Sequence, residues 1–572
     1  MSGLPKNVSS PPDVPAHVAA WSLAVILFLS CGLDLIFFTG YFASDDIGYL
    51  AGAWKIINGG RYDSSPALSE IRLTLVGWNT LIALLFGYHI QLIAGSYIFF
   101  HQLANGLTFL LARRMHGNIV AVPAAFCMAT TPLAVTHASA VLPDLPMTSF
   151  LLLSLLLFLR VYDGDAERFG FRSGVLMFIA GACVGLAYTA KETALILPPF
   201  YAVFWLLRER GRPRRQVLTR GILMAAGFLA IFFLEWAALS GLIGRSYFRM
   251  GWTVGATQFG SVLRDYPYGY YPLERLTCIH ERIGPWFSRT GFHYILAAVA
   301  LIYPFVSGRK LAPWALAAWY FVYHVWGSTR LTEYLPPPLQ ARYFTPMLPF
   351  LFILYVFLVV RMFRAVSCRI QRPALRRAVT IVAALACFLY PLPSLRISDR
   401  QAGKIYRADI VHVAQDALDA ARAAGDRPVV YSKTIDYHIA TLFRTGRPRD
   451  IVSPSDCRDE QTRARLASTG FYYVELYPDE KLEPIRLTDG LDATLHPLLS
   501  SAPDDQYNGP PPQTCELGAV EIDGHSGVLR RLRLFNLPKR RSEALLHVCF
   551  PDYQPRPDPD VRSAYLYEWS PR

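Results

Sequence analysis

Four short stretches put ionisable side chains where long apolar runs begin or end. "SDDIGY" carries Asp45 and Asp46, with Tyr49 closing it; "VLPDLPM" carries Asp144; "AYTAKETA" carries Lys191 and Glu192; "LQARYFTP" carries Arg342 and Tyr343. A charge at the centre of a membrane helix costs roughly 2.5–3.5 kcal/mol, and less near its ends. Several such charges at corresponding helix ends therefore suggest a shared site. The adjacent carboxylates of Asp45 and Asp46 repel each other, which raises the proton affinity of one of them. That is the property a proton-abstracting base needs. Taken with Asp144, they can also hold a hard divalent cation, although no spacing among the three demands one. Taken alone, "SDDIGY" reads equally as the polar turn after a helix.

The elements that must position these residues are membrane helices. Of 572 residues 53% are hydrophobic and 17% charged, against roughly 25% charged in a typical soluble domain; the mean hydropathy is +0.26. A spanning helix needs about 20 apolar residues. About eleven candidates fall near 18–40, 89–112, 118–138, 143–161, 172–190, 193–208, 218–243, 290–306, 311–327, 343–361 and 374–394. The links after even-numbered spans are basic: "ARRMHG", "RVYDGDAERFGFR", "RERGRPRRQVLTR", "GRK" and "RMFRAVSCRIQRPALRR". This is the positive-inside bias. It puts the N-terminal tail, 1–17, in the cytoplasm of a multi-pass plasma (inner) membrane protein, and it accounts for the net charge of +13 without nucleic acid.

The acidic pair, Asp144, Lys191 and Arg342 then all face outward. The transmembrane region covers 18–394, with external loops at 41–88 and 244–289. A short interfacial helix is expected over 46–58, with Tyr49 and Trp54 as anchors. From 395 to 572 the composition is ordinary and polar, and an extracytoplasmic α/β domain is expected there, with strands in "PVVYSKT" and "GFYYVEL". Cys31, Cys127, Cys183 and Cys387 sit in apolar runs as small hydrophobes. Cys278, Cys457, Cys515 and Cys549 lie in polar segments, where outside the cell a disulfide can form.

In order, spacing and sidedness these motifs resemble the GT-C superfamily of membrane glycosyltransferases, in particular the bacterial relatives of protein O-mannosyltransferases and the lipid A aminoarabinose transferases. Asp45, Asp46 and Tyr49 match an acidic pair followed by Tyr. Asp144 and Pro146 match Asp-x-Pro; Thr189, Lys191 and Glu192 loosely match Thr-Lys-Gly; Arg342, Tyr343, Pro346 and Pro349 match Arg-Tyr before a Pro-rich run. Two places depart from the pattern: Glu70 and Arg72 stand where a Pro-Pro-Tyr turn is usual, and Glu192 replaces the Gly after the lysine.

The resemblance implies a GT-C-like bundle that transfers a sugar, with inversion, from a polyprenyl-phosphate donor to a hydroxyl of a lipid, glycan or protein acceptor. Asp45 would serve as base with Asp46 tuning it. Lys191 and Arg342 would hold the departing phosphate, as point charge and as fork, beside Tyr343. Asp144 would orient the acceptor, share a divalent ion with the pair or position Lys191. Tyr49, Arg72 and Arg245 are the loop residues expected near substrate. Within the bundle, Asp34, Glu235, His101 and His137 read as internally paired groups or as site residues. A lipid or polysaccharide transporter or flippase is the alternative, as is an inactive scaffold. A transporter should carry polar groups through the full membrane depth and show related halves, whereas here they gather at one face.

Overall fold

In a computed structural model of the chain, the described residues are 14–40, 45–57, 68–162, 171–208, 214–249, 295–306, 311–328 and 341–367, then 417–425, 427–431, 451–452, 460–476, 515–522, 525–536 and 563–571, with isolated positions such as Gly59, Tyr62, Arg275, Tyr334 and Pro337. The chain divides into two compact units: Met1–Gly40 with Lys55–Lys404, and Tyr41–Trp54 with Ile405–Arg572.

The first unit is helical: α1 Ala16–Ile36, α3 Leu73–Phe86, α4 Ile90–Ser96, α5 Ile98–His116, α6 Asn118–Thr130, α7 Pro132–Ala138, α8 Asp144–Tyr162, α9 Phe171–Ala190, α10 Leu197–Arg208, α11 Arg214–Ile243, α12 Ile295–Val306, α13 Ala312–Trp326 and α14 Leu348–Ser367. Helix α2, Asp45–Ile57, straddles the two units. Among the described residues five helices are long and apolar enough to cross a membrane, or six if the bent pair α6 and α7 counts as one span. Large apolar side chains lie bare on their outer faces, with Phe28 on α1 80% and Leu234 on α11 65% exposed, as lipid contact requires. Shorter pieces stand at 73–86, 295–306 and 312–326. The candidate span at 374–394 lies largely outside the described residues.

Local chemistry explains the breaks. Thr131 precedes Pro132, and the proline ring disfavours the helical region for the residue before it. Thr131 is accordingly extended, at φ −69° and ψ 127°, and α6 and α7 meet at 60°. Asp34 and His101 are paired inside the bundle at 2.9 Å, and Gln102 donates to the same carboxylate at 2.8 Å. That satisfies the carboxylate buried near the C-terminal end of α1. Helices α9 and α11 pack backbone to backbone. A Cβ at Gly181 would overlap the Met224 carbonyl, and one at Gly227 would overlap the Phe178 carbonyl. Close approach over small residues is how membrane helices gain packing when water cannot drive them together.

The second unit carries a six-stranded sheet of order β2-β1-β3-β6-β5-β4, built from β1 Val429–Tyr431, β2 Ile451–Val452, β3 Phe471–Leu476, β4 Cys515–Ile522, β5 His525–Asn536 and β6 Ser563–Pro571. Strand β1 pairs in parallel with β2 and β3, and the other pairings are antiparallel. Helix α15, Glu460–Thr469, leads into β3 through Gly470 at φ 75°, whose N–H caps the Leu466 carbonyl at 3.0 Å. Only glycine takes that left-handed turn without strain. The helix expected after "PVVYSKT" lies outside the described residues, as do Cys278, Cys457 and Cys549.

The glycine contacts are testable. Gly227→Leu forces α9 and α11 apart and is expected to abolish folded, monodisperse protein on size exclusion in detergent. Gly241→Ala, where an added methyl meets nothing within 4 Å, should behave as wild type.

Candidate active site

Three breaks in the helices bring the polar residues of the first unit together. Asp144 opens α8 directly after Pro143. Lys191 follows the last residue of α9 in an extended conformation, φ −155° and ψ 130°, before a single 3-10 turn at Glu192–Ile196. Arg342 and Tyr343 lie on a second 3-10 segment, Ala341–Met347, ahead of α14. The Lys191 ammonium donates to Asp144 Oδ1 at 2.6 Å and sits 3.6 Å from the centroid of the Tyr343 ring. The Arg342 guanidinium is 5.3 Å from the same ring. Tyr343 thus has two cations against its π-system, an arrangement that gains strength when desolvated. Asp144 is fully buried and Lys191 nearly so. Burial pulls the Lys191 ammonium down to about 8, Asp144 opposing and Arg342 reinforcing the shift.

Next to this pair runs a second, charge-balanced network. Arg72, the residue before α3, grips Glu192 with Nε at 3.2 Å and Nη2 at 2.8 Å. Arg249, just beyond α11, reaches the same carboxylate at 2.6 Å. It also pairs with Glu235 at 3.0 Å, donates to the Tyr188 carbonyl at 2.8 Å and lies 4.3 Å from the Tyr188 ring centroid. Burial pushes the Glu192 carboxyl up, but Arg72 and Arg249 outweigh it and hold it at about 2. A carboxylate so engaged is a structural anchor, not a base. Glu70 pairs with Lys55 at 3.1 Å.

The structure therefore joins Asp144, Lys191, Arg342 and Tyr343, and brings Arg72 beside them through Glu192. It does not bring in Arg245, which is exposed after α11; the buried arginine of that segment is Arg249. Asp45 and Asp46 form the first turn of α2, where acidic side chains favour the helix N-terminus. With Tyr49 they belong to the second unit. Among the described residues no group of three or more His, Cys, Asp or Glu side chains is placed to hold a metal ion, and Asp144 commits one oxygen to Lys191. The Nδ1 of His137 faces the Leu133 carbonyl at 2.7 Å. Sequence reasoning passed over two residues of α13: His324, whose ring lies against Tyr343 and Phe344, and Tyr320, which stacks on His324. A histidine inside an apolar aromatic run carries no pattern that would single it out.

With this geometry in place, similarity to known proteins is informative. Residues 76–236, which hold Asp144, Lys191 and Glu192, match the family described as dolichyl-phosphate-mannose-protein mannosyltransferase. A Bacillus subtilis (strain 168) protein named "Putative mannosyltransferase YkcB" is 28% identical over 208 residues, 35% of this chain and 26% of that protein. The chain thus spans about a quarter of the length of that curated relative. Among solved structures, ArnT from Cupriavidus metallidurans bound to undecaprenyl phosphate aligns with a TM-score of 0.50 at 14% identity, over 96% of this chain and 97% of that one. The archaeal oligosaccharyltransferase AglB from Archaeoglobus fulgidus, in complex with an inhibitory peptide and a dolichol-phosphate, aligns at 0.50 and 13% identity, over 81% and 70%. The chain shares its fold with these structures, and its long apolar helices are those of an integral membrane protein. The family match is carried by residues 76–236, and the likeness to ArnT and AglB over most of the chain is one of fold.

The Glu192 network generates a stability prediction. Removing one partner of a buried ion pair costs about 3–5 kcal/mol, so Glu192→Gln should lower the melting temperature in detergent at pH 6. The folded carboxyl titrates at about 2, below its ordinary 4.5. Its contribution is complete above pH 4.5 and is lost as pH falls toward 2. The gap between wild type and variant should therefore be full at pH 6 and close across that window.

Proposed function

We propose that the chain transfers a sugar from a polyprenyl-phosphate donor to an acceptor hydroxyl at the extracytoplasmic face of the membrane. The observation that carries this reading is the Lys191 ammonium, held between Asp144 and the face of Tyr343 with Arg342 at the same ring. It puts two cations at the ends of apolar helices, where a lipid-borne anion would arrive. The phosphodiester of a polyprenyl-phosphate sugar is such an anion, and ArnT and AglB have been solved with the corresponding sugar-free lipid monoesters, undecaprenyl phosphate and a dolichol-phosphate.

In this reading the chemistry divides simply. Polyprenyl phosphate is already a competent leaving group, so the charge that develops on it needs stabilisation more than protonation. Lys191 supplies a point charge and Arg342 a fork. Asp144 holds the ammonium in place; of its three roles considered from sequence, positioning Lys191 is the one its hydrogen bond supports. The sugar passes through an oxocarbenium-like transition state, and the attacking hydroxyl must lose its proton. On the resemblance of the first external loop, Asp45 is the base and Asp46 its partner. The C-terminal sheet unit is assigned to the extracytoplasmic side, with the N-terminus in the cytoplasm.

The test is the full chain in nanodiscs with a panel of radiolabelled undecaprenyl-phosphate sugars, scored for label transfer or donor hydrolysis. Removing one group that stabilises developing negative charge typically costs 10²–10³ in turnover, and Lys191→Ala is expected to lose about that much. Asp45→Asn should lose about 10²–10⁴. Because the ammonium titrates at about 8, wild-type donor affinity should weaken as pH rises through that value, and Lys191→Arg should remove that limb. Undiminished donor use in Lys191→Ala would take the lysine out of the site.

A further inference from the structure

Three buried polar atoms beside the Asp144–Lys191 pair have no hydrogen-bond partner among the described residues: Asp144 Oδ2, His324 Nε2 and the Tyr320 hydroxyl. Asp144 and His324 are 0% exposed and Tyr320 2%. The Tyr320 hydroxyl approaches Thr193 without forming a well-shaped hydrogen bond. The His324 ring stacks on Tyr320 at 4.3 Å between centroids and lies 6.4 Å from the Tyr343 ring, the ring that carries the Lys191 ammonium. These groups therefore share one end of the site, on α13, next to the cations.

An unsatisfied buried polar group costs about 1–3 kcal/mol, and each one in a native fold calls for an explanation. His324 Nδ1 faces the Tyr320 carbonyl at 3.1 Å, so the ring proton belongs on Nδ1 and Nε2 presents a lone pair. Asp144 Oδ2 presents a second. A cation does not fit this pair of acceptors, because the Lys191 ammonium already occupies the same carboxylate. The chemical complement of two acceptors and a hydroxyl is a ligand with several O–H groups, two donating to Nε2 and Oδ2 and a third accepting from the Tyr320 hydroxyl.

We propose that Asp144 Oδ2, His324 Nε2 and the Tyr320 hydroxyl form a subsite that recognises hydroxyl groups of the donor's sugar, beside the cations that take its phosphate. This makes His324 and Tyr320 specificity-determining residues, and it rests on the lipid-linked donor proposed above. A site built to hydrogen-bond a hydroxyl strongly rejects a ligand that lacks it, because its own buried groups are then left unpaired.

Binding of bare undecaprenyl phosphate, and of the same lipid phosphate carrying mannose, glucose, galactose or arabinose, separates the possibilities in nanodiscs. Wild type is expected to bind at least one sugar-linked lipid about tenfold more tightly than the bare lipid, the worth of one such hydrogen bond. His324→Leu and Tyr320→Phe should erase most of that preference and leave affinity for the bare lipid unchanged. His324→Gln, whose amide oxygen can replace the Nε2 lone pair, should restore it. A wild type without preference, or variants that keep it, would overturn the subsite. Equal loss for bare and sugar-linked lipids would make the role one of packing and overturn it too. A wild type that ignores bare undecaprenyl phosphate would instead sink the phosphate site, and the subsite with it.

Discussion

A lysine ammonium can be buried at the end of an apolar helix only beside a carboxylate, because taking an unpaired charge out of water costs far more than the fold can supply. The contact between Lys191 and Asp144, 2.6 Å long, imposes much of the surrounding structure. Asp144 must open its helix, so that its side chain projects at the helix end. The chain must leave the α-helix at Lys191, and it does so as one extended residue before a 3-10 turn. Tyr343 must lie flat against the ammonium, which the 3-10 segment at Ala341–Met347 allows. Each irregularity costs regular hydrogen bonding, and together they place two cations around one aromatic ring.

The neighbouring network has a complementary effect. Arg72 and Arg249 are engaged by Glu192 and Glu235, which leaves the Lys191 ammonium with Asp144 as its own carboxylate. Arg72 and Glu192 also stand at the two places where, with Glu70, the chain departs from the motifs it resembles. Read separately each looks like damage to a site. In the fold they are partners, and the bidentate grip between them ties the start of α3 to the residue after Lys191.

Asp144, Lys191 and Arg342 were legible in the sequence because a charge within or beside an apolar run is costly enough to stand out. The internal pairing of Asp34 was open to the same logic, and its partner His101 was named as a bundle residue. The grip of Arg72 on Glu192 was not legible: the two are 120 residues apart, and no local periodicity encodes a contact between separate helices. The short helix expected over 46–58 appears as α2 at Asp45–Ile57, so that Asp45 and Asp46 form its first turn. A polar turn after one helix and the first turn of the next have the same composition. The bend at Thr131 was missed although Pro132 announces it, because apolar content alone joins α6 to α7. His324 gave no signal at all, since its meaning comes entirely from the ring and the cation that the fold brings to it.

The central claim is that Lys191 and Arg342, gathered at Tyr343, receive the phosphate of a polyprenyl lipid. A cryo-EM structure of the full chain in nanodiscs with undecaprenyl phosphate tests it directly. The account predicts the phosphate within hydrogen-bonding distance of the Lys191 ammonium and the Arg342 guanidinium. A phosphate bound elsewhere, with Lys191 touching only Asp144 and Tyr343, would contradict it.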